Sequence, residues 1–283
     1  MRLSTERDRA RLEAAKASKV SELLTRLLTG ADPYRTPDAK EPTVQSLLDI
    51  GAERVSRELG DEPEVQAEML TVIGRTYQRM GLYAKALPLL ERAVGIGRQA
   101  LAPRHIILAS GLNELGVIHR ELGHYAEAEP MLRESLAMRR SLLGNEHKDV
   151  AVTLVELGRV LDDVGRSDEA EKDFRESLDI RRKVFGEEHR ETATSKSELG
   201  RALLRRGDVE GAERMQRENV ETTQRVLGPD HPNTAAAKGM LAQVRLVEGR
   251  TDDAEALVQD ALSVKQRVFG DQHPEYAVTL SVP

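Results

Sequence analysis

Residues 109–150 read ASGLNELGVIHRELGHYAEAEPMLRESLAMRRSLLGNEHKDV, and the organisation of the whole chain follows from this stretch. From Ala109 to Leu122 the apolar residues Leu112, Leu115 and Ile118 keep the i, i+3, i+6 rhythm of an amphipathic helix. Gly123 follows, a residue able to take the left-handed conformation that closes a helix. A second helix is expected from about Ala126 to Leu142, with Ala128, Met131, Leu132, Leu136 and Met138 on a common side. Gly144-Asn145-Glu146-His147 then supplies a turn into the next unit.

This unit is repeated. Gly81, Gly123, Gly165, Gly207 and Gly249 are each 42 residues apart, as are Ala86, Ala128, Ala170, Ala212 and Ala254. A third series runs Gly74, Gly116, Gly158, Gly200 and then Ala242, and a fourth runs His105, His147, His189, His231 and His273. One period shared by four series, with no insertion, specifies a stacked array of helix pairs. A single pair cannot bury its apolar face, so stability is shared along the row. Gly116 and its equivalents lie inside the first helix, where glycine costs about 1 kcal/mol against alanine. Their recurrence predicts a close approach of two helix backbones, with the Ala128 series as the matching small residues.

Five full units are expected over 67–276, beginning at 67, 109, 151, 193 and 235. Leu59-Gly60-Asp61-Glu62-Pro63 aligns with Leu143-Gly144-Asn145-Glu146-His147, so residues 43–66 read as a degenerate half-repeat. Residues 1–29 hold an amphipathic helix with Val20, Leu23, Leu24, Leu27 and Leu28 on its apolar side. Residues 30–42 hold three prolines and read as a linker. Residues 277–283 begin a sixth unit and stop. The expectation there is a partly uncovered apolar end around Val258, Leu262 and Val264, open to self-association. A strictly monomeric profile at high concentration would count against that association.

Composition narrows the function. Of 283 residues, 39% are hydrophobic, 32% charged and only 3% aromatic, which suits thin helical layers filled by Leu, Ala and Val better than one compact core. The net charge of -6 argues against nucleic acid as a partner, since such surfaces are basic. No apolar run approaches the roughly 18–20 residues that span a bilayer, so membrane insertion is not expected of this chain. Without cysteine there is no thiolate metal site or disulfide. Five in-register histidines cannot share one ion, because stacked units separate them by about 8–10 Å or more; each is read instead as a turn residue bonded to local backbone. Asp162-Asp163 and Asp252-Asp253 read as helix-end or solvated acids. No nucleophile elbow, GxGxxG or Walker loop is present, and no catalytic residue, metal or cofactor is expected.

Leu112, Leu115, Gly116, Gly123, Tyr125, Ala128 and Leu132 together resemble the tetratricopeptide repeat signature. The 42-residue period and the turns Gly228-Pro229-Asp230-His231-Pro232 and Gly270-Asp271-Gln272-His273-Pro274 resemble the kinesin-light-chain type of that repeat. The resemblance covers about 43–276. It implies an all-α fold, a right-handed superhelical solenoid of antiparallel helix pairs, and protein or peptide binding without catalysis. Residues 6–82 resemble the segment that follows the transmembrane helix in bacterial Ser/Thr protein kinases with a C-terminal repeat array. That implies the sensing or docking arm of a signalling kinase, the alternative being a free-standing cytoplasmic adaptor.

The same resemblance places the first helix of each unit on a concave binding face. The positions implied there are Glu68, Thr71, Arg75, Gln78 and Arg79, then Ser110, Asn113, Val117, Arg120 and Glu121, then Val152, Val155, Arg159, Asp162 and Asp163. The fourth unit gives Thr194, Ser197, Arg201, Leu204 and Arg205, and the fifth Ala236, Gly239, Gln243, Leu246 and Val247. Arg75, Arg159 and Arg201 share one register. One reading is a mildly basic groove for an extended peptide with acidic side chains or a free carboxylate, because the guanidinium fork pairs bidentately with carboxylates. The other is an ordinary solvated face. Light-chain-type arrays often carry Asn pairs in the first helix; here only Asn113 remains.

Overall fold

A computed structural model of the protein describes residues 43–270. The expected N-terminal helix, the proline-containing linker, His273 and the start of a sixth unit lie outside the described residues. Among the described residues there are eleven helices and no strand. They are α1 (Val44–Glu58), α2 (Pro63–Arg79), α3 (Tyr83–Ala100), α4 (Ile106–Glu121), α5 (Tyr125–Leu143), α6 (Lys148–Asp163), α7 (Ser167–Phe185), α8 (Arg190–Arg205), α9 (Val209–Leu227), α10 (Pro232–Val247) and α11 (Thr251–Phe269). The even-numbered helices from α2 to α10 are the first helices of the units, and each pairs with the odd-numbered helix that follows. The described chain forms two compact units, one ending at Met138 within α5 and the other beginning at Arg139.

The turns follow the repeated residues. Gly123 closes α4 with φ of 77°, and Gly144 follows α5 with φ of 84°, a region closed to most L-residues. The histidine series opens the first helices. The Nδ1 atoms of His105, His147, His189 and His231 accept the backbone N–H two residues on, at 3.3, 3.2, 3.1 and 3.1 Å. Each satisfies a donor that the start of a helix leaves without an intrahelical partner.

The helical glycines are notches. A Cβ on Gly74 or Gly116 would lie 2.7 Å from Cγ of Leu90 or Leu132, and one on Gly158 would lie 2.7 Å from the Phe174 ring. One on Gly200 would meet the Gln216 carboxamide at 2.6 Å. The expected approach of two backbones is therefore an approach of the first-helix backbone to a large side chain of the second helix. Backbone comes close only secondarily, with the Ala128 carbonyl 3.3 Å from a Cβ on Gly116.

In the first unit Leu70, Leu90, Leu112, Ile118 and Leu132 are wholly buried. Burying one such side chain stabilises by roughly 1.5–3 kcal/mol. Tyr77, 1% exposed, donates its hydroxyl to Asp49 Oδ1 at 2.6 Å, and Lys85 Nζ reaches the same carboxylate at 2.6 Å. This ties α1 to both α2 and α3, and the lysine and tyrosine hydrogen bonds hold the Asp49 carboxyl below its ordinary range. In the second unit the buried set includes Leu154, Leu157, Leu161, Phe174 and Leu178. At its far end Val264 is buried, packed with Ala235 and Ala261, while Val258 and Leu262 are half-buried. The expected apolar end is thus partly taken up by α10, and the exposed apolar residues are Val268 and Phe269.

Buried arginines link successive pairs. Arg139 Nη1 donates to the Asp149 carbonyl at 2.8 Å and the Thr153 hydroxyl at 2.7 Å. Arg181, one period later, donates to the Glu191 carbonyl at 2.9 Å and the Ser195 hydroxyl at 3.0 Å. On the outer surface Arg140–Glu176 and Arg182–Glu218 join successive second helices at 2.6 and 3.6 Å, pairs that contribute little because they are partly solvated.

The notches generate a prediction of opposite signs. Gly158→Ala forces a methyl into the Phe174 ring and should lower stability by on the order of 1–3 kcal/mol. Gly239→Ala, in the interior of α10 with nothing within 4 Å of its added Cβ, should raise stability by about 1 kcal/mol. Urea denaturation midpoints of the two variants check this, and shifts of the same sign would contradict the notch.

Candidate functional site

Two pairs of consecutive first helices leave a groove between them. In the first unit a groove of about 200 Å³ lies between α2 and α4, lined by Glu68, Thr71, Val72 and Arg75 on one side and Ile106, Ile107 and Ser110 on the other. In the second unit a groove of about 420 Å³ lies between α8 and α10. Thr194, Ser197 and Glu198 wall it on one side and Asn233, Ala236 and Met240 on the other, with Asn219, Thr223 and Leu227 of α9 beneath. The two occupy one register: Glu68 corresponds to Thr194, Thr71 to Ser197, and Ser110 to Ala236, each three periods on. Six of the expected first-helix positions are brought together in these two places, with Arg75 beside them in the first.

Other expected positions behave differently. Asn113 is 2% exposed, and Val117, Val155 and Asp162 are likewise buried, so these do not present an open face; Thr71 is also buried and meets the α2–α4 groove only at its edge. For Thr71 the reason is the neighbouring first helix: its hydroxyl lies 3.6 Å from where a Cβ on Gly111 of α4 would stand. Gln78 is half-buried, while Arg75 and Arg79 are exposed and have no ion-pair partner among the described residues.

The arginines of the second unit are engaged. Arg159 donates to Glu156 at 2.9 Å and to Glu198 Oε1 at 2.5 and 3.1 Å. Arg201 donates to Glu198 Oε2 at 2.6 Å, and Arg205 to Asp162 at 2.5 Å. Burial works to lower the Arg159 pKa, but the Glu156 and Glu198 carboxylates outweigh it and push the value up. Burial holds the Asp162 carboxyl above its usual range, against the pull of Arg205 and Arg201. In the first unit Arg120 pairs with its neighbour Glu121, whose other oxygen accepts from the Tyr83 hydroxyl at 3.5 Å. The register of Arg75, Arg159 and Arg201 is therefore not a row of equal donors: Arg75 is open, whereas Arg159 and Arg201 are bound to acids of α6 and α8.

The floor residues Asn219, Thr223 and Leu227 escape a reading confined to first helices. Their signal was a break in register, since Thr223 stands one period after Arg181 and Ala237 one period after Ser195. Among the described residues no cluster of His, Asp and Glu could hold a metal ion, and no helix is long and apolar enough to cross a membrane.

The tetratricopeptide repeat family model matches residues 65–141, 149–221 and 191–265, most of the chain. The chain belongs to the tetratricopeptide repeat family. Among solved structures, a Podosopora anserina protein described as kinesin-light-chain, with nearly identical repeats of this type, is 25% identical with a TM-score of 0.63. The match covers 72% of this chain and 96% of that one. BtubC (BKLC) from P. vanneervenii shares the fold at 21% identity and a TM-score of 0.67, covering 80% of this chain and 91% of that one. No curated protein sequence matches. The repeat is of the kinesin-light-chain-like kind, and the family is one of protein-binding scaffolds that are generally non-catalytic.

The ion pairs separate two arginines of one register. Arg159→Ala leaves Glu156 and Glu198 without their shared partner and should lower stability by about 2 kcal/mol. Arg75→Ala should change it by less than about 0.5 kcal/mol. Denaturant titration distinguishes them, and equal effects would contradict the assignment of Arg159 to a structural network.

Proposed function

We propose that this scaffold receives extended polypeptide in the grooves between its first helices, and that the α2–α4 groove takes a segment bearing carboxylates. The observation that carries the reading is the return of a groove at one register, between α2 and α4 and again between α8 and α10. Grooves of one register on a helical array suit an extended ligand such as a peptide backbone. At the α2–α4 groove Arg75 has its guanidinium unengaged, with Arg79 one turn further along α2. Glu68 is the one acid of that lining. Apolar Val72, Ile106 and Ile107 offer contact area beside the charge.

A peptide with two adjacent aspartates should bind more tightly than its diamide counterpart by about tenfold at low salt. Arg75→Ala/Arg79→Ala should abolish that difference without loss of helicity. Fluorescence anisotropy measures both affinities. Equal binding of the two peptides, or a preference that survives the double substitution, overturns the acidic-ligand reading.

The larger setting proposed is the interaction or sensing arm of a bacterial signalling Ser/Thr kinase. Its support is the resemblance at residues 6–82 to the segment following the membrane helix of such kinases. In that setting the array lies outside the cytoplasm; a free-standing adaptor would lie within it. The reading frame upstream of this sequence decides between them: a kinase domain followed by a membrane span is expected, and an intergenic region in its place would sink the kinase setting.

A further inference from the structure

The floor of the α8–α10 groove departs from the rest of the repeat. At the two preceding positions of this register the second helix carries arginine. Arg139 and Arg181 are 5% and 4% exposed, and each places its guanidinium against the first turn of the next first helix. Arg181 binds the Glu191 carbonyl and the Ser195 hydroxyl there. One period on, Thr223 replaces the arginine, Ala237 replaces the hydroxyl residue, and Asn233 stands where Glu191 stood. All three line the groove. The space between α8 and α10 is thus the place where the preceding repeat keeps a guanidinium of its own.

A second, independent feature sits beside it. Ser135 and Ser177 turn their hydroxyls to the Ala109 and Ala151 carbonyls, at 2.7 and 3.0 Å. Their successor is Asn219, 3% exposed and lining the groove. Its Nδ2 donates to Gln216 Oε1 at 3.4 Å, but its Oδ1 receives no hydrogen bond among the described residues. That oxygen is an acceptor left to a donor from a ligand or from water in the groove. Glu191 and Glu198 also line the walls, but their carboxylates are already paired, with Arg181 and Arg190 and with Arg159 and Arg201 respectively, and Arg190 stands at the rim with its side chain 69% exposed.

We propose that the α8–α10 groove is a specificity pocket for one arginine side chain of a bound peptide, which there takes the place that Arg181 holds in the preceding repeat. A carboxylate offers no donor to Asn219 Oδ1 or the Asn233 carbonyl, and an aliphatic side chain leaves both to water. A guanidinium fork offers several donors in one plane, enough for Asn219 Oδ1 and the Asn233 carbonyl together. The inference rests on the reading of the chain as a peptide-binding scaffold and names the chemistry of one of its sites.

The test uses a fluorescein-labelled dodecapeptide of glycine and serine with a single central arginine. Otherwise identical peptides carry citrulline, leucine or glutamate at that place. The whole chain is titrated in its native form, as Thr223→Arg/Ala237→Ser, and as Asn219→Ser. The double variant restores the residues of the preceding repeat, so it should fold, and circular dichroism with thermal melting verifies this. The arginine peptide should bind about tenfold more tightly than the citrulline peptide, a margin set by its charge-assisted hydrogen bonds. That preference should vanish in the double variant, whose own arginine fills the pocket, and weaken in Asn219→Ser. Equal binding of arginine and citrulline or leucine peptides, or a preference untouched by filling the pocket, overturns the proposal. A random peptide array probed with the native chain separates this from the wider reading. Array binding that is indifferent to arginine overturns the pocket alone, and an array with no binder overturns peptide recognition as well.

Discussion

A missing methyl group at the middle of four of the five first helices sets how the partner helix can lie. At Gly74, Gly116, Gly158 and Gly200 the backbone is bare, and a leucine, leucine, phenylalanine or glutamine of the second helix fills the notch. The glycines cost helix propensity, about 1 kcal/mol each, and the tight burial of the opposing side chain offsets it. The notch and its occupant keep a 42-residue register, so the four notched pairs are packed through the same kind of contact. What varies from pair to pair is then left to the residues between units. Those residues decide whether the space between consecutive first helices is filled or open.

Two solutions are visible. Arg139 and Arg181 fill their places from within, each bonded to a helix-start carbonyl and a hydroxyl. Gly97 and Thr223, at the same register, do not. Gly97 lets α3 and α4 come close, a Cβ there lying 3.1 Å from Leu108 Cδ1. Thr223 keeps its hydroxyl on the Asn219 and Val220 carbonyls and leaves volume above it. Open grooves accompany the small residues, and they differ in chemistry: an unengaged arginine at one, a carboxamide oxygen at the other. A common scaffold thereby acquires local selectivity through single positions, without any change in the helices that carry it.

Much of the fold was legible because periodicity is a property of sequence alone. Spacing by 42 revealed the units, the turn glycines and the capping histidines before any helix was placed. The face of the first helices was legible only in part. Whether Asn113 or Thr71 meets solvent depends on a neighbouring helix dozens of residues away, and both are buried. Arg159 looks like Arg75 because they share a register, but Arg159 pairs with Glu198, 39 residues on, whereas Arg75 makes no ion pair with the corresponding Glu114. The floor of the α8–α10 groove was missed for a simpler reason. It belongs to a second helix, and its signal is the replacement of Arg181 and Ser195 by Thr223 and Ala237, a paired change that periodic series of identical residues do not display.

The central claim is that the notched pairs fix helix spacing, so that the inter-unit residue only fills or opens a groove already framed. A crystal structure of Arg181→Thr/Ser195→Ala tests it most directly. The account predicts that α6 and α8 keep their native separation and that a groove opens over position 181, in the image of the one over Thr223. If α6 and α8 instead close together over that position, the spacing is set by the arginine itself, and the account is contradicted.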